Sequence, residues 1–331
     1  MTQLTALATH QQEPNQTCYN GFYMWKTFRR KRINLVLESG GVKVIGELGA
    51  IQVLQDSGYR FKRISGTSGG AIIGALLAAG MTPERAIQRL KELDITEFAQ
   101  TIAAENARSW INAGLVVIRQ RWVDDGSRLE AWLQEELGQL GVHSFADLKI
   151  PRWRSRHIAP HKRYQLVVNT TDLKSGETIR LPWDYHKLGL NPDTQSVARA
   201  VRASASIPFL YQPVQLGDRQ LIDGAITSPY PIELFDDDTS RNTLGVVVTG
   251  IKKADKVRGS SEHPINLARA LLRIQRERIE RVSENDQANL SRTIQIDTRS
   301  ISDLHFAINR DEQVELIYQG RKAAEQYVRS H

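Results

Sequence analysis

Two glycine turns, each set between a short apolar run and a helix-like segment, constrain this chain more than any other feature. The first lies in INLVLESGGVKVIGELGAIQVL from Ile33, the second in RFKRISGTSGGAIIGALLAAG from Arg60. INLVLE has the length of a strand and breaks at Ser39-Gly40-Gly41. Ile45, Leu48, Ile51 and Leu54 then recur at spacings of three, which predicts one face of a helix. A second short strand, near Phe61 to Ile64, runs into GTSGG. The apolar Ala- and Gly-rich stretch after it predicts a helix buried on all sides. Strand, turn and helix twice in succession make a βαβα unit, and such units build parallel sheets covered by helices.

The rest of the chain extends this pattern. Thr82-Pro83-Glu84 opens a helix, with Thr82 as cap and Pro83 in the first turn, where its missing N–H costs nothing. Helical spacing continues with breaks to about Leu140. YQLVVNTTD (164–172) and ETIRL (177–181) flank a Lys-Ser-Gly turn and predict a hairpin. SVARAVRASAS predicts a helix leading into IPFLYQPV. QLIDGAITSPYPI and TLGVVVTG are strand-like, the second apolar enough for the centre of a parallel sheet. INLARALLRIQRERIERV places Leu267, Leu271, Ile274, Ile279 and Val282 on one face, an amphipathic helix read as packed on the body. No repeat or linker interrupts 33–331, so we read a single domain with its motifs within 33–250 and a helical part at 262–331. It is preceded by an irregular arm, 1–32, polar and then basic and aromatic.

Composition narrows the function classes. Apolar residues at 40% and charged residues at 24% belong to a soluble globular chain. Cys18 is the sole cysteine, so neither an intrachain disulfide nor a thiolate metal site is available, and no metal or other cofactor is expected. The first residues lack the basic start and apolar core of a signal peptide, and no run of about 18 apolar residues occurs. The expectation is a cytoplasmic protein. The net charge of +7 is bunched in KTFRRKR (26–32) and RWRSRHIAPHKR (152–163), with Trp25, Phe28 and Trp153 among the cations. Those segments suit either peripheral contact with an anionic membrane or a solvated basic loop. No nucleic-acid-binding module is present, and nucleic acid is not an expected partner.

The second turn carries the chemistry. Gly66-Thr67-Ser68-Gly69-Gly70 fits G-x-S-x-G between a strand and a helix, the context in which the pattern denotes a nucleophile elbow. Glycines beside the serine relieve clashes in a sharp turn, and the helix N-terminus favours negative charge. Taken alone, the pentapeptide fits a small residue in a tight crossing equally well. If the strands are adjacent and parallel, the Ser39-Gly40-Gly41 turn ends at the same sheet edge, so amides of Gly40 and Gly41 can face Ser68 as an oxyanion hole. The alternative for that turn is a phosphate cradle, but neither the dinucleotide fingerprint nor a P-loop is matched. For a base, His305 resembles a triad histidine, whereas Asp223 follows a predicted strand in LIDGA, which also reads as a plain Asp-Gly turn. Asp125, in DDGS, is a further carboxylate and reads as a turn residue.

Together these motifs resemble the patatin-like phospholipases. LVLESGGVKVIGELGAIQVL is similar to that family's strand, oxyanion loop and helix, ISGTSGGAIIGALLAAG to its elbow, and RASASIPFLYQPV with LIDGAITSPYPIELF to the segment bearing its Asp-Gly-Gly/Ala motif. The resemblance implies a three-layer α/β/α fold with a mainly parallel sheet. It implies a lipid acyl hydrolase of phospholipase A type with a Ser-Asp dyad: Ser68 the nucleophile, Asp223 the base, Gly224 and Ala225 completing the Asp motif. Gly66, Gly69 and Gly70 form the elbow, and Ser39, Gly40, Gly41 and Lys43 the oxyanion loop. The alternatives are an acyltransferase using the same acyl-enzyme, or a catalytically weak lipid- or partner-binding homologue. The weak reading rests on two departures from the family loop: Ser39 replaces its first glycine and Val44 its last. A β-branched residue at position 44 would be strained if that position required positive φ.

Overall fold

The structure is a computed structural model that describes residues 31–92, 122, 124–236, 242–250, 274, 287–299 and 308–331. The arm up to residue 30, the amphipathic segment at 265–282 apart from Ile274, and His305 lie outside the described residues. Among the described residues eight strands form one sheet: β1 (Lys31–Leu37), β2 (Tyr59–Thr67), β3 (Leu166–Asp172), β4 (Thr178–Leu181), β5 (Val214–Leu216), β6 (Arg219–Asp223), β7 (Thr243–Thr249) and β8 (Thr293–Asp297). Their order is β5-β6-β3-β2-β1-β7-β8, with β4 paired to β3. From β3 through β8 the neighbours are parallel, and β4, β5 and β6 join by antiparallel pairing.

Burial explains the central strands. In β1 every residue from Ile33 to Leu37 is buried, and in β7 every residue from Thr243 to Val248. This is the continuous apolar pattern of strands covered on both faces. The second strand is longer than its apolar core suggested. Arg60 and Lys62 point to solvent in its first half, and all five residues from Arg63 to Thr67 are buried in its second. Helices α1 (Ile45–Asp56), α2 (Gly69–Ala78), α3 (Pro83–Glu92), α4 (Ser127–Gly138), α5 (Val197–Ser204) and α6 (Arg310–Ser330) flank the sheet, giving a three-layer α/β/α fold. Thr82 Oγ1 accepts the Arg85 N–H at 3.3 Å at the start of α3, and Ser196 caps α5 through the Arg199 N–H at 3.2 Å. No helix among the described residues is long and apolar enough to cross a membrane.

The C-terminal helix docks on α1 through small residues. A methyl group on Gly49 would overlap the Ile317 carbonyl oxygen, and one on Gly320 would overlap the Gly46 carbonyl oxygen. The two backbones therefore touch where side chains would normally separate them. Leu316, Ile317 and Ala324 are buried beside this contact. α1 descends directly from the first glycine turn, so docking of α6 braces the helix that carries that turn.

Gly320→Ala tests this brace. In an unobstructed helix the change gains roughly 0.5–1 kcal/mol. Here the overlap with a backbone carbonyl outweighs that gain, and a net loss of about 1–3 kcal/mol is expected in chemical denaturation.

Candidate active site

The two glycine turns meet at the C-terminal edge of the parallel strands. β1 and β2 are adjacent, with Leu37 paired to Gly66, so the loop after β1 and the elbow after β2 emerge side by side. A methyl on Gly70 would overlap the Glu38 carbonyl oxygen, and one on Gly66 would overlap the Gly70 carbonyl oxygen. A Cβ on Gly69 would sit 2.7 Å from the Gly41 carbonyl oxygen. The elbow glycines are thus required by backbone approaching backbone. Ser68 itself adopts φ 53°, ψ −121°, a conformation that few non-glycine residues hold. Its strained turn leaves the side chain at the N-terminus of α2.

Asp223 reaches Ser68 through strand register. Asn169 of β3 pairs with Thr67, and the next residue, Thr170, pairs with Asp223 at the end of β6. Two segments 155 residues apart in sequence therefore end against consecutive positions of one strand. The Ser68 hydroxyl donates to Asp223 Oδ2 at 2.7 Å. The Ala225 N–H donates to Oδ1 at 2.8 Å. Asp223 is 1% exposed. Burial pushes its carboxyl up to about 6, partly opposed by the hydrogen bonds from Ala225 and Ser68. Gly224 is required because a methyl there would overlap the Asn169 carbonyl oxygen.

Three residues that the sequence reading did not single out hold this arrangement. Ser204, at the end of α5, accepts the Ser68 N–H at 2.9 Å and donates to the Asn169 carbonyl at 2.6 Å. Asn169 Nδ2 donates to Ser65 Oγ, the Gly66 carbonyl and Thr67 Oγ1 at 3.0, 3.1 and 3.1 Å. Thr171 Oγ1 donates to the Asp223 carbonyl at 3.0 Å. The available signal was a polar Asn-Thr-Thr run inside an otherwise apolar strand.

The oxyanion loop differs from expectation in three respects. The Ser39 N–H donates to the Pro229 carbonyl at 3.1 Å, so its amide does not line the loop. The Lys43 N–H closes a 3₁₀ turn on the Gly40 carbonyl at 3.2 Å, and its buried ammonium lies 3.4 Å from Thr298 Oγ1 beyond β8. Val44 has φ −59°, an ordinary helical value, so its β-branch carries no backbone strain. Positive φ falls instead on Gly41, at 56°. Gly41 is exposed and has open space where a Cβ would stand, whereas Gly40 is buried against Val44 and Val248. By helix geometry the first-turn amides of the 3₁₀ turn, Gly41 and Val42, and those of α2, Gly69 and Gly70, lack intrahelical acceptors. Asp125 is exposed and accepts the Ser127 N–H at 2.9 Å in its own turn. Among the described residues no histidine bonds to Ser68 or Asp223, and no cluster fit to hold a metal ion occurs.

Residues 35–236 match the family described as Patatin-like phospholipase. The Bacillus subtilis protein YqhO is 33% identical over 223 residues, covering 65% of this chain and 71% of its own. An NTE family protein of Mycobacterium tuberculosis is 27% identical over 216 residues, 65% of this chain but 30% of its own length. In structure, VipD from Legionella pneumophila superposes with a TM-score of 0.52 at 18% identity, over 91% of this chain and 67% of that one. The chain belongs to the patatin-like phospholipase family, a family of lipid acyl hydrolases, and has its fold.

Two substitutions probe the site. The raised carboxyl means that the fold prefers protonated Asp223. The ionised form costs stability as pH rises from the usual carboxylate range near 3.8 through about 6, on the order of 3 kcal/mol once fully ionised. Asp223→Asn should therefore melt higher than wild type at pH 8 and equally at pH 4, since its amide N–H can donate to Ser68 Oγ. Val44→Gly should bring no gain in any ester hydrolysis and should lower stability, because Val44 packs in the gap between Gly40 and Gly69.

Proposed function

We propose that this protein is a lipid acyl hydrolase of phospholipase A type that cleaves fatty acyl esters of membrane lipids through Ser68 and Asp223. The observation that carries the reading is the 2.7 Å hydrogen bond from the Ser68 hydroxyl to a buried carboxylate whose affinity for protons is raised. An ordinary aspartate is too weak a base for a hydroxyl, and one pushed to about 6 is closer to the operating pH.

In the proposed mechanism Asp223 takes the proton of Ser68 as the oxygen attacks the ester carbonyl. The amides of Gly41 and Gly69, from the two turns that touch where Gly69 lies against the Gly41 carbonyl, donate to the developing oxyanion, aided by the N-terminus of α2. The proton then passes from Asp223 to the departing lysolipid alkoxide, leaving an acyl-serine. Water, deprotonated by Asp223, attacks that ester and releases the fatty acid, and Ser68 recovers its proton. Ser204 and Asn169 act as positioning residues, since they hold the Ser68 backbone and the end of β2 rather than the reacting atoms. The ordinary φ of Val44 removes one reason for reading the chain as a weak homologue.

Release of fatty acid from mixed phospholipid and galactolipid vesicles tests the proposal. Ser68→Ala and Asp223→Ala should each lose at least about 10³-fold. Retained activity in either would remove that residue from the mechanism. For wild type, kcat/KM should rise with pH up to about 6, where Asp223 becomes ionised, and then level off. A flat profile down to pH 4 would exclude Asp223 as the base. Adding lysolipid acceptors separates hydrolysis from acyl transfer, with free fatty acid expected as the main product.

A further inference from the structure

A basic pocket of about 760 Å³ opens at the edge of the sheet opposite Ser68. It is lined by Lys31 and Arg32 from the start of β1, Lys62 from the first half of β2, Asn242 just before β7, and Trp153 and Arg154 from a 3₁₀ turn. The fold thus gathers the ends of two basic segments that are about 120 residues apart in sequence. Among the described residues, four cations and no carboxylate line it. Among the described residues, Arg32, Lys62 and Arg154 form no ion pair, while the Lys31 ammonium already donates to Tyr59 Oη at 3.2 Å and to a main-chain oxygen of His331 at 3.4 Å. Trp153 is 67% exposed, the most exposed large apolar side chain among the described residues, and the Arg154 guanidinium lies 4.5 Å from its ring centre.

Like charges held together around a concavity repel one another, and a multivalent anion relieves that repulsion. Arginine and lysine together suit phosphate oxygens, and an exposed indole offers a face on which a planar group can stack. The volume lies within the usual range for a small-ligand site, about 300–1,000 Å³. A lipid surface is the less favoured source of phosphate. Ser68 lies six residues beyond Lys62 along and past β2, or about 20 Å at strand rise, towards the other edge. A bilayer seated on this pocket would hold the serine away from its interface.

We propose that the pocket is a binding site for a soluble polyphosphorylated anion, and that a nucleoside triphosphate satisfies both its cations and Trp153. The site is separate from Ser68 and does not depend on the hydrolase reading. Calorimetric titration of the full chain with ATP and with inorganic tripolyphosphate tests it. Wild type should bind one ATP per chain, more weakly as salt rises. Lys62→Glu and Arg154→Glu should each weaken binding of both ligands at least about tenfold. Lys91→Glu, the same charge change on exposed α3, should leave both unaffected. Trp153→Ala should weaken ATP severalfold and tripolyphosphate little. Melting curves of each variant report that it is folded. The proposal is overturned if wild type shows no saturable binding up to ~1 mM, if the two charge reversals bind like wild type, or if Lys91→Glu weakens binding equally. It is overturned also if phosphoinositide-containing vesicles bind in a Lys62-dependent way while ATP and tripolyphosphate do not.

Discussion

Gly70 lies beneath the Glu38 carbonyl and Gly69 against the Gly41 carbonyl, with no room for a methyl at the first and little at the second. This contact between two backbone turns is the constraint on which the site depends. It follows from the parallel pairing of β1 and β2, which delivers both turns to one sheet edge at the same height. Beside that contact Ser68 takes positive φ at the start of α2, and the turn after β1 lies next to it. Backbone atoms shape the site more than side chains do, so its geometry is as rigid as the sheet that bears it.

The same rigidity has a thermodynamic cost at Asp223. A carboxylate that is 1% exposed and, among the described residues, receives only the Ala225 N–H and the Ser68 hydroxyl is poorly solvated, and its proton affinity rises in consequence. Destabilisation of the ionised form and strength as a base are two expressions of one interaction. The surrounding network bears it: Asn169 fastens β3 to the elbow, Thr171 holds the Asp223 backbone, and Ser204 joins the Ser68 amide to β3. Stability elsewhere, including the close docking of α6 on α1, offsets a locally unfavourable site.

Much of this was legible in the residues. The glycine turns, their flanking apolar runs and the hairpin at 164–181 are local patterns, so periodicity and turn chemistry report them directly. Ser68 and Asp223 were nameable because each lies in a short motif with its own steric reason. Less legible was what long-range contacts decide. Lys43 belongs to the loop in sequence, yet its ammonium turns to Thr298, 255 residues away. Ser39 belongs to the loop by motif, yet Pro229 takes its N–H. The positive φ that would have strained Val44 falls on Gly41 instead, where glycine bears it without penalty, because the loop turns three residues earlier and position 44 already leads into α1. Ser204 and Asn169 carry no motif and acquire their roles only where α5 and β3 meet β2.

By itself the sequence determined the strands beside the two glycine turns and the hairpin after Tyr164, which turn demands glycine, and which serine stands at a helix start, since each depends on neighbours within a few residues; β8 (Thr293–Asp297) and the short β5 (Val214–Leu216) carried no such local signal. Only the tertiary structure decided that Asp223 meets Ser68, and that Lys31, Arg32, Lys62 and Arg154 surround one pocket. Those outcomes depend on strand order and register. Register is set by the burial of the whole sheet, and no stretch of sequence contains it.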